Sequence, residues 1–280
     1  MPSSRSESLT SPVSEDEFGL GHPALALATK LALAPLLIAQ AVATRRRAPV
    51  LPEADGPRQG RVGAGEGQAI KLLIAGDSSA AGVGVAHQEQ AVAGYLTRTL
   101  AREARAPVEW TLRARTGLST RAVHEWLRDD PPVPADIAVV VTGVNDVIEQ
   151  VPSTRALAHR AALAEWLLAG GRARHVVFAP LPPMHRFPLL PRLLARVVGD
   201  DARRHDDAIA RWAAMRSDVS HVRIALDLHA GVMASDGFHP GEPVYRVCGE
   251  ALGAHAAGIV ALLRQSVGIG RGRPDRSIAT

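Results

Sequence analysis

The stretch Leu72-Leu73-Ile74-Ala75-Gly76-Asp77-Ser78 is an apolar run that stops on a Gly-Asp-Ser turn. A short apolar run closed by turn residues has the pattern of a strand buried on both faces, as found in parallel sheets covered by helices. Working outward, the pattern recurs, and candidate strands fall at residues 71–75, 108–113, 137–142, 176–179 and 222–226. Between the first two, Val92, Tyr95, Leu96, Thr99 and Leu100 repeat at helical spacing. Ser153 or Thr154 can cap a helix that runs to Leu168 ahead of Gly170, and a last helix is expected over 244–263. Strands alternating with helices predict an α/β fold, a three-layer α/β/α sandwich around a five-stranded parallel sheet. Chemistry in such folds gathers beyond the carboxyl ends of the strands, which is where Ser78 falls.

Three further segments stand in the right relation to that serine. Arg115-Thr116-Gly117-Leu118-Ser119 and Val139-Val140-Val141-Thr142-Gly143-Val144-Asn145-Asp146 each set a glycine just past a strand, and the second adds an amide at Asn145. Far downstream comes Asp236-Gly237-Phe238-His239. Each has an ordinary use when taken alone. Gly-Asp-Ser is a common turn, Gly117 can turn a strand into a helix, the Asn145 segment can start a helix, and Asp236 and His239 lie in a Gly/Pro-rich stretch that suits caps and solvated loops.

Taken in chain order, Gly-Asp-Ser, Gly, Gly-x-Asn-Asp and Asp-x-x-His resemble the SGNH hydrolase superfamily, the GDSL-type esterases and lipases, over residues 70 to about 264. The resemblance implies a flavodoxin-like strand order 2-1-3-4-5. It implies Ser78 as nucleophile, His239 as the base that takes its proton, and Asp236 as the group that orients the imidazole. It implies an oxyanion hole made of the Ser78 N–H, the Gly117 N–H and the Asn145 side-chain amide, donors aimed at the charge that develops on an ester carbonyl. A residue without Cβ suits the Gly117 position, where the backbone must approach a ligand closely. Asp77 and Asp146 also match motif positions and are read as supports for their turns. Ser79 stands where the family commonly has leucine.

Other chemistries find no pattern. Ser78 lacks the flanking glycines of a Gly-x-Ser-x-Gly elbow, and an Asp and His three residues apart do not fit the α/β-hydrolase arrangement. No Walker-type loop is present, and Gly63-Ala64-Gly65-Glu66-Gly67 precedes its strand, the wrong order for a dinucleotide. The 11 histidines include no His-Glu-x-x-His and no cysteine partner spacing, so neither a metal nor a cofactor is expected. Cys248 is the single cysteine, which rules out an intramolecular disulfide. The net charge is +4, with arginines scattered among acids and 4% aromatic residues, so nucleic acid is not an expected partner.

The organisation before and after the hydrolase-like domain (70–264) differs. Residues 1–22 read as a disordered acidic tail and 48–69 as a Pro/Gly-rich linker, while 265–280 read as a loose basic tail. Residues 23–47 hold an apolar stretch, 24–43, followed by Arg45-Arg46-Arg47; as a helix it would span about 30 Å, enough for a bilayer core. Lys30, Pro35 and many alanines leave three alternatives open: a span, a helix lying on the membrane surface, or a helix packed on the enzyme. The arginines would keep the domain on the cytoplasmic side, and Ala41-Val42-Ala43 offers the alternative of a cleaved export signal. Residues 180–198 contain five prolines yet carry Met184, Phe187, Leu189 and Leu190, which suggests either an acyl-binding wall at Met184 and Phe187 or a loop tucked on the core. The expected activity is hydrolysis of carboxylic esters, of a small molecule or a lipid, through an acyl-enzyme. The alternatives are glycan O-deacetylation or acyl transfer on the same fold, and, from another class, a membrane-tethered binding module.

Overall fold

Alternate side chains of one strand set the layers. In β2 (Ile70–Gly76), Ile70, Leu72 and Ile74 face one way and pack with Val92, Leu96 and Leu100 of α2 (Val92–Ala104) and with Tyr245, Leu252 and Val260 of α7 (Glu242–Gly270). Leu73 and Ala75 face the other way, against Val123 and Leu127 of α3 (Thr120–Asp129), Leu163 and Leu167 of α5 (Ser153–Leu168), and Ile209 and Ala213 of α6 (Arg192–Ala213). A strand covered on both faces is expected to be apolar, as β2 is from Leu72 onward, after the exposed Lys71 at its start. Each such Leu or Ile taken fully out of water contributes about 1.5–3 kcal/mol. The structure is a computed structural model that describes residues 23–65 and 67–270.

The sheet has six strands in the order β1-β3-β2-β4-β5-β6. The parallel part comprises β2, β3 (Val108–Ala114), β4 (Ala135–Val141), β5 (Ala173–Phe178) and β6 (Val219–His221), in the flavodoxin-like order expected for five strands. β1 (Gln59–Val62) is an additional antiparallel edge strand on β3. It corrects the expectation of a linker over 48–69. Gln59-Gly60-Arg61-Val62 has no apolar alternation, and what holds it is the backbone ladder to β3, with Ala54 buried just before it.

Two other boundaries move. The fifth parallel strand was expected at 222–226 but ladders only over Val219–His221. Val222 and Ile224 do pack inward, yet β5 ends at Phe178 and runs into Pro180, Pro182 and Pro183, which have no N–H to extend a ladder. The last helix is longer than 244–263, and residues 265–270, expected in a loose tail, continue it. Among the described residues α7 is the one helix long and apolar enough to cross a membrane, but it lies along α2 with one face in the core. The expected tails at 1–22 and 271–280 lie outside the described residues.

A third apolar cluster caps the carboxyl end of the sheet. It joins Val147 of α4 (Val144–Ile148), Leu181, Met184 and Phe187 of the proline-rich loop, Leu194 and Val198 of α6, and Leu228, Met233 and Val244. The irregular stretch 180–198 therefore ends earlier than expected, because α6 starts at Arg192 directly after Pro191. Residues 23–47 form α1 (Pro23–Arg47), and its Leu37 packs against this third cluster.

Candidate active site

Neighbouring strands bring their carboxyl ends into line. Gly76 of β2 stands opposite Ala114 of β3 and Val141 of β4, so the turns after these strands share one rim. The first turn is closed by Asp77 N–H to Val141 O (3.1 Å), Ala81 N–H to Asp77 O (2.9 Å) and Val83 N–H to Ser78 O (3.0 Å). Ser78 therefore sits on a tight turn rather than at a helix start, and α2 begins only at Val92.

The Asp236–His239 loop reaches this rim from the other side of the sequence. His239 Nε2 lies 3.1 Å from Ser78 Oγ, and His239 Nδ1 lies 2.6 Å from Asp236 Oδ2. The second oxygen of Asp236 accepts the N–H groups of Phe238 and His239, both at 2.9 Å, which fixes the carboxylate on its own loop. Burial opposes the charge of Asp236, but the hydrogen bonds from the His239 ring and from those two N–H groups outweigh it and hold its carboxyl below the usual range. That leaves an acceptor facing Nδ1, the tautomer in which Nε2 is free to take a proton.

Gly117 and Asn145 stand side by side. Asn145 Nδ2 donates to Leu118 O at 3.0 Å, and an amide nitrogen has a second hydrogen to give. Gly117 has φ +84°, and a Cβ built there would meet no atom within 4 Å. The turn needs glycine for its backbone angle, and the space in front of it is open. The Gly143 segment does start a helix, the five-residue α4, and Asn145 is its second residue.

Asp77 and Asp146 both hold turns. Asp77 Oδ1 accepts the Ser79 N–H at 3.0 Å; its burial pushes its carboxyl up to about 7, against the lowering pull of that N–H. Asp146 accepts the Thr120 N–H at 3.0 Å and the Thr120 hydroxyl at 2.5 Å, tying α4 to the start of α3. Behind it lies Arg160, 1% exposed, with Nη2 3.5 Å from Asp146 Oδ2. Arg160 is not among the expected site residues, yet the sequence carries a signal for its burial: it falls on the same helical stripe as Ala156, Leu163, Ala164 and Leu167, all buried. It also explains Gly143, at φ +126°, where a Cβ would come within 2.0 Å of Arg160 Nη2.

Met184 and Phe187 are 1% and 5% exposed, so they belong to the third core cluster as well as lining space at the site. Phe187 meets Phe238 edge to face, with ring centroids 5.1 Å apart, in the wall of a small cavity of ≈30 Å³ that also touches Ser78 and His239. Met184 lines a larger groove of ≈950 Å³ that reaches Gly117 and Asn145; Phe238 lines both spaces. Burial pushes the Cys248 thiol up to about 12, which leaves it a poor nucleophile. Among the described residues no group of three or more His, Cys, Asp or Glu is placed to hold a metal ion.

The sheet order and its covering helices make this a protein of the α/β/α sandwich class, with Ser78, His239 and Asp236 gathered at the carboxyl edge of the sheet. Residues 74–247 match the GDSL-like Lipase/Acylhydrolase family, and the chain belongs to it. It is thus a hydrolase of ester bonds. No curated relative matches. Among solved structures it is similar to a lipase from a goat rumen metagenome (19% identity, TM-score 0.52, covering 68% of this chain and 98% of that one). It is also similar to a member of the lipolytic G-D-S-L family from Veillonella parvula (15%, 0.50, 70% and 100%) and to the family 3 carbohydrate esterase of Clostridium thermocellum (15%, 0.53, 70% and 99%). At these identities the structures show the shared fold.

Proposed function

We propose that this chain is a serine esterase that cleaves carboxylic esters with an apolar acyl chain through an acyl-enzyme on Ser78. The reading rests on one observation, the continuous line Asp236 Oδ2–His239 Nδ1 (2.6 Å) and His239 Nε2–Ser78 Oγ (3.1 Å). Ser78 Oγ attacks the acyl carbon and its proton passes to His239 Nε2, while Asp236 stabilises the imidazolium. Charge on the carbonyl oxygen is met by the Ser78 and Gly117 N–H groups and by the free hydrogen of Asn145. The acyl–oxygen bond then breaks, and His239 returns the proton to the departing alcohol. A water gives its proton to His239 and attacks the acyl carbon, releasing the acid, and Ser78 takes the proton back. Hydrolysis of p-nitrophenyl butyrate by wild type, lost in Ser78→Ala, tests the reading.

The apolar walls support an acyl chain over a sugar. Met184, Leu189, Leu190 and Phe238 line the groove, and among the described residues no tryptophan or tyrosine lines either cavity at the site. A lipid surface fits α1, where Leu36 is 49% exposed and where Ile38 and Val42, 63% and 45% exposed, stand at the groove, ahead of Arg46 and Arg47. On this reading the enzyme works on the cytoplasmic side of a membrane, and full-length protein co-sediments with anionic vesicles.

A further inference from the structure

The groove of ≈950 Å³ is bounded on one side by residues far outside the family match: Ala34, Leu37, Ile38 and Ala41 of α1. Their spacing of three, one and three residues is that of a single helical stripe. The same groove is lined by Leu194, Val197 and Val198 of α6, another such stripe, and by Gly117 and Asn145. Helix packing alone would draw α1 down until side chains filled the gap, since interiors are close-packed. Here alanines at 34 and 41 face the space and it stays open, at a volume within the range of ligand sites, about 300–1,000 Å³. The cavity touching Ser78 itself is ≈30 Å³, too small for a chain.

We propose that α1 is a wall of the acyl-binding groove, so that residues 34–41 help to set chain-length specificity. The occupant is the hydrocarbon chain of an ester of about eight or more carbons. Its carbonyl sits at Gly117 and Asn145, and its chain runs between α1 and α6. The inference rests on the reading of Ser78 as the acylated residue. It makes α1 part of the enzyme's substrate site rather than an attachment to it. Each methylene that reaches an apolar wall is worth roughly a fourfold gain in binding.

The test uses the full chain and p-nitrophenyl esters from acetate to decanoate. The ratio of octanoate to acetate kcat/KM is expected to fall at least tenfold in Ala41→Trp, which fills the groove from the α1 side. A second measurement covers the case of a misfolded variant. Ala41→Cys is made with Cys248→Ser and treated with a decyl or an ethyl fluorophosphonate, and the reaction of the thiol at position 41 with a maleimide is then timed. The decyl adduct on Ser78 is expected to slow that reaction at least fivefold and the ethyl adduct to leave it unchanged. A ratio within twofold of wild type in a folded Ala41→Trp overturns the proposal, as does an unprotected thiol beside a fully formed decyl adduct on Ser78. Dependence on alkyl length in alkyl acetates, with none in the acyl series, also overturns it, because the groove would then hold the alcohol. Absence of any adduct on Ser78 would overturn the esterase reading and this proposal with it.

Discussion

Asn145→Ala separates chemistry from architecture. The side chain has two jobs in the structure: one amide hydrogen is tied to Leu118 O at 3.0 Å, and the other faces the groove beside Gly117. Losing the first bond removes a tether between the turns after β3 and β4. Leu118 is only partly buried, so water can replace the donor, and the cost to stability is about 0.5–1.5 kcal/mol or less. On the proposed mechanism, losing the second removes one of three donors to the developing oxyanion, which typically lowers kcat by about 10²–10³, or ~2.7–4 kcal/mol of transition-state stabilisation. The barrier effect therefore exceeds the folding effect several-fold. The expected result is a protein that melts within a few degrees of wild type, keeps its KM for p-nitrophenyl butyrate within about threefold, and loses kcat by about two to three orders of magnitude. A kcat within threefold of wild type would refute the assignment. So would a loss confined to KM, which would make Asn145 a binding residue.

Asp236→Asn lets an amide hydrogen face His239 Nδ1, which moves the ring proton to Nε2 and leaves nothing to accept from Ser78; kcat is expected to fall by about 10³–10⁴ at pH 7 with the fold intact, and unchanged kinetics would assign the orienting role elsewhere. Asp77 supplies a pH signature. Its carboxyl sits at about 7 in the fold, raised by burial, against about 3.9 in an unfolded chain, so between those values the folded state holds the proton more tightly and stability falls as pH rises through that window. Asp77→Asn lacks this dependence, so its melting temperature relative to wild type is expected to climb from pH 4 to pH 7 and level off above; a flat difference would contradict it. Gly143→Ala combines a positive φ with a Cβ 2.0 Å from Arg160 Nη2, and displacing that buried cation from Asp146 is expected to cost about 3–5 kcal/mol in urea unfolding. A loss under 1 kcal/mol would mean that Arg160 moves freely.

The features legible in the sequence are those whose signal is local. β2 and β4 are largely apolar runs, β3 alternates apolar and polar residues and β5 ends on Val176-Val177-Phe178, while Ser78, Gly117, Asn145 and His239 sit in motifs whose order in the chain is informative. β1 escaped because its stability comes from main-chain pairing to β3, which leaves no mark on four side chains of which three are exposed. The register of β6 escaped because Val222, Ile224 and Leu226 alternate like a strand while the partner that would have paired them turns away through prolines. The helical stripe marks Arg160 as buried but not what it meets, because its partners, Asp146 and the Gly143 turn, are distant in sequence. The apolar residues of α1 are spread around the helix rather than gathered on one side, and such a helix shows no face that says what it will meet.

Acylation at Ser78 underlies every step proposed for this enzyme, and mapping a covalent adduct reads it out. Wild type is treated with a fluorophosphonate, digested and mapped by mass spectrometry beside Ser78→Ala and Ser79→Ala. One adduct is expected, on Ser78, formed in wild type and in Ser79→Ala, absent from Ser78→Ala, and paralleled by loss of ester hydrolysis. An adduct on Ser79 or Cys248, or full hydrolysis by Ser78→Ala, would contradict it.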